Sequence, residues 1–145
     1  MKRFITVLFL LATFMFFSSG TILAESTIPD LTGKWKAKNY THHHENKGFF
    51  SNPEAAGEWV IKEQKGRLFY GERYYIMKHH EHTKVTEGFS GVISRDGKRL
   101  YAVDHIKDIL IGNILSDGSI ELVIINEGDK NEHSRIGLIE IERAK

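Results

Sequence analysis

The stretch that most constrains the fold is residues 57–82, where apolar and polar side chains alternate at a period of two that no helix satisfies. Trp59 and Ile61 share a face of one extended segment (58–63). Phe69, Gly71, Arg73 and Tyr75 share a face of the returning one (67–77), and Gln64, Lys65 and Gly66 form the turn between them. The same punctuation recurs along the chain. Extended segments are expected at 31–39, 84–94, 98–103, 108–115, 120–125 and 133–143, with Arg95-Asp96-Gly97 and Ser116-Asp117-Gly118 as further tight turns and 40–56 as a long irregular loop. Eight short strands without a helix define an all-β chain. Short connections between consecutive strands favour pairing in order, which closes into an eight-stranded antiparallel up-and-down β-barrel, with a β-sandwich as the alternative.

A meander places alternate connections at opposite ends. The connections near 64–66, 95–97 and 116–118 are tight and lack histidine, whereas those near 40–56, 78–82, 104–107 and 126–133 hold all eight histidines of the chain. One end should be closed and the other a histidine-rich mouth. A sandwich would scatter the histidines over both ends.

The N-terminus reads as a secretory signal peptide: Lys2 and Arg3, an apolar run from Ile5 to Phe17, small residues, and a cleavage-like Ile22-Leu23-Ala24. The apolar run is shorter than the roughly 20 residues a spanning helix needs. Residues 1–24 are therefore expected to be the leader and 25–145 a single β-barrel domain, periplasmic or secreted, with no membrane span in the mature chain. Without Lys2 and Arg3 the chain is close to neutral, with both signs interspersed, so charge gives no case for nucleic acid. There is no cysteine, so an exported domain of this size depends on its core or on self-association.

Gly33-Lys34-Trp35 on the first strand, followed by the hairpin carrying Ile61, Gly66, Leu68, Gly71 and Tyr75, resembles the lipocalin and avidin type of barrel, the calycin-like group. The resemblance implies an exported container for a small molecule. It also implies a closed end where the tryptophan of the Gly-x-Trp strand, here Trp35, is covered by an arginine near the chain end. Arg143 is the candidate for that role. The avidin pocket's several tryptophans reduce here to Trp35 and Trp59, and Arg73 stands where an avidin has a pocket tyrosine, so the container carries over rather than biotin.

Two constellations could carry chemistry. Arg73 and Arg135 fall on inward faces, where a guanidinium needs a carboxylate from the protein, with Glu87 or Glu63 in reach, or from a ligand. The ligand reading gives a small anionic or carboxylate-bearing molecule held by the arginines against Trp59, Phe69, Tyr75 and Phe89. The histidines give the other: His42 with His44, and His80 with His82, are spaced i, i+2. With His105, His133 and the carboxylates Glu45, Glu81 and Asp104, they could hold a divalent transition metal such as Zn²⁺, Cu²⁺ or Ni²⁺. A recognition or inhibitor role for the 40–56 loop is a third reading. Gly88-Phe89-Ser90-Gly91 is not a nucleophile elbow and no activated nucleophile is identifiable, so an enzyme is not expected. Segments 108–115 and 120–125 are apolar on both faces, which points to a homo-oligomer through their outer sides.

Overall fold

The computed structural model describes residues 27–51, 57–77, 83–128 and 133–145. The expected leader, His80 and His82 lie outside the described residues. The strands are β1 (Gly33–His44), β2 (Gly48–Ser51), β3 (Glu58–Lys65), β4 (Leu68–Met77), β5 (Thr83–Ile93), β6 (Arg99–Asp104), β7 (Ile109–Ile114), β8 (Ile120–Asn126) and β9 (Arg135–Arg143). Consecutive strands from β3 to β9 pair antiparallel, and β9 returns to β1 along Trp35–His44 to close the sheet. Strands β2 and β3 pair with the same edge of β1 at its two ends, Thr41–His44 with β2 and Gly33–Lys36 with β3. They act as one interrupted strand, so the nine segments make a closed eight-stranded antiparallel barrel.

The expected long loop at 40–56 is a correction. Tyr40 to His44 continues β1, and Gly48 to Ser51 returns beside it. The alternation there is of rings rather than aliphatics: His42 stacks on Phe50 at 5.1 Å and His43 meets Phe49 edge-on at 4.6 Å, each a register pair. Cross-strand aromatic pairs of this kind stabilise a hairpin even when half its rings are imidazoles. A bulge between Ala37 and Asn39 also switches the parity of β1. Trp35 and Ala37 point inward before it and Tyr40, His42 and His44 after it, so Asn39, placed with Trp35 by simple alternation, is exposed.

The lower half of the lumen is packed with Trp59, Ile61, Phe69, Phe89, Leu100, Leu110, Ile120, Leu122, Ile139 and Ile141. Its filling depends on two glycines. Phe69 pairs in register with Gly91 and Phe89 with Gly71. A Cβ on Gly91 would lie 2.4 Å from the Phe69 ring, and one on Gly71 would lie 2.7 Å from the Phe89 ring and 2.1 Å from the Val60 carbonyl oxygen. Each ring lies across the glycine facing it. The space left among these side chains is a cavity of about 20 Å³, room for about one water and no organic ligand.

The base is sealed by the segment entering β1. Gln64 accepts from the Leu31 amide at 2.8 Å and donates to the Pro29 carbonyl at 2.9 Å, which holds Leu31 buried under the barrel. The Trp35 indole donates to the Leu31 carbonyl at 2.9 Å. The Arg143 guanidinium lies 4.8 Å from the Trp35 ring centroid and donates to the carbonyls of Thr32, at 2.7 Å, and Asp30. The expected placement of Trp35 and Arg143 at the closed end is therefore observed. Gly33, at φ +118°, lets the chain turn there with the guanidinium close by.

Candidate functional site

Above the apolar layer the lumen becomes charged. Strand β4 brings in Arg73, whose neighbours come from the inward ends of otherwise apolar strands: Glu87 on β5, Asp104 closing the Leu100, Ala102, Asp104 face of β6, Asp108 just before β7, and Asn126 closing β8. Arg73 Nε donates to Glu87 at 2.6 Å, and its Nη2 donates to Asp104 at 2.7 Å and Asp108 at 2.6 Å. The second oxygens of the three carboxylates are also taken. Glu87 accepts from Tyr75 at 2.6 Å, and Asp108 accepts from Asn126 at 2.6 Å. Asp104 accepts from the backbone amides of Ile106, Lys107 and Asp108 at 2.9, 2.6 and 2.8 Å. Every member of the network is paired, as groups removed from water must be.

The charge balance shows in the titrations. Burial pushes the Asp108 carboxyl up, but hydrogen bonds from Arg73 and Asn126 outweigh it and hold it below the usual range. Burial works against the Arg73 guanidinium, and the Asp108 and Glu87 carboxylates more than restore it, so it stays protonated. Burial and then the bond to Glu87 raise the Tyr75 phenol well above its ordinary value. Of the two carboxylates named from the sequence for the inward arginines, Glu87 is a partner of Arg73. Glu63 is not, because the β3 bulge after Ile61 turns it to the outside, where it meets Tyr70 and Lys65. Arg73 is thus neutralised internally and cannot be the anion anchor that the ligand reading gave it. Trp59 and Tyr75 flank its guanidinium carbon, each ring at 5.6 Å, while Phe69 and Phe89 belong to the filled lower lumen.

The mouth rises from this floor on β1, β2 and β9. Tyr40, His42 and Phe50 form a continuous stack on the inner face, with centroid separations of 5.0 and 5.1 Å and interplanar angles of 23° and 15°. Gly137 on β9 makes the space, since a Cβ there would sit 2.9 Å from the Tyr40 ring. The Nδ1 atoms of His42 and His44 are shielded from solvent and have no hydrogen-bond partner among the described residues. Burial, then the nearby Arg135 charge, then His44 hold His42 below its ordinary pKa. Arg135 is partly exposed and reaches only one network member, Asp108, at 3.6 Å.

The metal candidates divide. His44 and His133 rings lie 5.9 Å apart, and His133 Nδ1 is 3.5 Å from Glu45. His105 is a correction: it sits at the mouth end but on the outer wall, its ring against Gly88 and its Nε2 3.1 Å from Ser90 Oγ. Residues 104–107 turn sharply around the Asp104 side chain, which sends Asp104 inward and His105 outward. Among the described residues the only three metal-ligating groups within 4.8 Å of one another are Glu87, Asp104 and Asp108. Arg73 already occupies their centre. Sequence reasoning missed Asp108, Asn126 and the aromatic character of the mouth. The signal for the first two was a polar residue ending an apolar inward alternation.

No known protein-family profile and no curated protein matches the chain. Among solved structures, a redesigned β-barrel is similar over 88% of this chain and 100% of its own, at 9% identity and a TM-score of 0.39.

Proposed function

We propose that the protein is an exported, non-enzymatic barrel that binds a small molecule at its open end, an aromatic or apolar anion lying against the Tyr40–His42–Phe50 stack. The observation that carries this reading is that stack: three inward rings at a mouth, above a packed lower lumen, with two imidazole nitrogens that have no partner among the described residues. Flat rings favour a planar partner. Among the described residues Arg135 is held only by Asp108, at 3.6 Å, so the anchor for an anionic group moves from Arg73 to Arg135. The Arg143 cover on Trp35 supports kinship with the calycin-type barrels.

Calorimetry with 1-naphthoate as the probe tests the reading, with neutral 1-naphthalenemethanol as its control. Binding of the anion should weaken about tenfold in Arg135→Gln, the loss of one charge-assisted hydrogen bond. It should fall further in Phe50→Ala. Equal binding of both probes, or affinity indifferent to both substitutions, would remove it. Native mass spectrometry of the protein from its own host would then show the natural ligand.

A second reading, a divalent transition metal on the mouth histidines, is favoured by the same two partnerless Nδ1 atoms. Zinc titration of wild type against a His42→Ala, His44→Ala double variant decides it, since unchanged zinc affinity would sink the metal reading.

A further inference from the structure

The outer wall carries a feature that the mouth does not use. On β6 to β9 the outward residues form two unbroken cross-strand rows, Tyr101–Ile111–Val123–Leu138 and Val103–Ile109–Ile125–Ile136. Six of these eight side chains are exposed and the two on β8 are half-buried. The next outward row toward the closed end changes character completely, to Arg99–Asn113–Glu121–Glu140. The wall of β1, β3 and β4 carries paired charges and hydroxyls outward, with Lys62 on Glu72 at 2.5 Å, Lys34 facing Glu58 at 3.7 Å and the Tyr74 hydroxyl on Glu72 at 2.5 Å, beside the exposed Leu68 and Tyr70.

We infer that this band is where a second copy of the chain docks, by a two-fold axis running between β7 and β8 and parallel to them. Two observations select a second copy. The first is area: the rows expose on the order of 600 Å² of apolar surface, so a face-to-face pair buries about 1,200 Å², the lower bound of stable interfaces. It is also at the upper limit of what a monomer leaves to water. The second is self-complementarity. Rotation about that axis maps β6 onto the partner's β9 and β7 onto the partner's β8 at unchanged height, so apolar rows meet apolar rows. In the polar row, the same operation sets Arg99 toward Glu140 of the partner subunit and Asn113 toward Glu121 of the partner subunit, a closed isologous match. Inverting the height instead would set the polar row against the mouth-end residues His105, Lys107, Glu127 and Ser134 and lose the Arg99–Glu140 match.

Sedimentation equilibrium of the protein as its host processes it tests the inference. Wild type should have twice the monomer mass at micromolar concentration, and Ile109→Lys, a half-exposed outward position, should be monomeric with an unchanged circular dichroism spectrum. The charge swap tests the axis. Arg99→Glu and Glu140→Arg should each weaken the dimer about tenfold, and the two together should restore it. Lys62→Glu on the opposite wall should leave the dimer unchanged. A wild type monomeric at 100 micromolar overturns the inference, as does a dimer indifferent to Ile109→Lys or a double swap without rescue. A monomer that instead co-floats with phosphatidylcholine vesicles would assign the band to lipid.

Discussion

The two halves of the lumen are built from the same strands and do opposite work. Toward the base, β4 and β5 interlock phenylalanines over facing glycines and leave a cavity of about 20 Å³. Toward the mouth, the same strands carry Arg73, Tyr75 and Glu87, and the rings of β1 and β2 stay partly open to solvent. The Arg73 network is the boundary. Packing is concentrated below it and at it, which is how a small barrel without disulfides can keep an adaptable rim.

Substitutions should separate the halves. The largest expected effect is at the boundary: Arg73→Met leaves Glu87, Asp104 and Asp108 buried without their shared cation, and urea unfolding should show a loss of about 3–5 kcal/mol. Leu110→Ala in the packed half should cost about 2–5 kcal/mol by the same measurement, because a side chain fully enclosed in the core leaves a void. Arg143→Gln removes the cover from Trp35 and should cost about 1 kcal/mol. In the mouth, Phe50→Ala should change stability by no more than about 0.5 kcal/mol while removing probe binding. If Phe50→Ala destabilises as strongly as Leu110→Ala, the division is wrong.

The smallest effect is in pH. Burial and the Arg135 charge depress the pKa of His42 in the folded state below its ordinary 6.5, so the unfolded chain takes up a proton first as pH falls. Its contribution to stability is present above pH 6.5 and is lost as pH drops through the folded value. The melting temperature should therefore decline from pH 7 toward pH 5, less steeply in His42→Gln, and an imidazole titration followed by NMR should place His42 below its ordinary 6.5. Asp108 acts in the same direction at lower pH, its contribution being lost only as pH falls below the ordinary carboxylate value of 3.8.

Much of this division was legible in the sequence. Glycine turns on one side and histidines on the other gave the polarity of the barrel, and period-two alternation gave the inward Arg73 with Glu87 or Glu63 as its partner, of which the structure selects Glu87. Two of the errors share one physical source, because alternation carries no information past a bulge. The shift after Ala37 moved Asn39 out and Tyr40 in, and the shift after Ile61 moved Glu63 out. His105 was misplaced by a turn whose geometry depends on three amides converging on Asp104, a tertiary arrangement no spacing reveals. The histidine hairpin was read as loop because imidazole counts as polar, whereas here it stacks as an aromatic.

The described residues begin and end at the sealed pole, where Arg143 binds the carbonyls of Thr32 and Asp30 and the Ala144 amide bonds to the Lys34 carbonyl. A tag or sensor surface joined beyond Lys145 is therefore held behind the barrel, with the ring-lined mouth facing away from it.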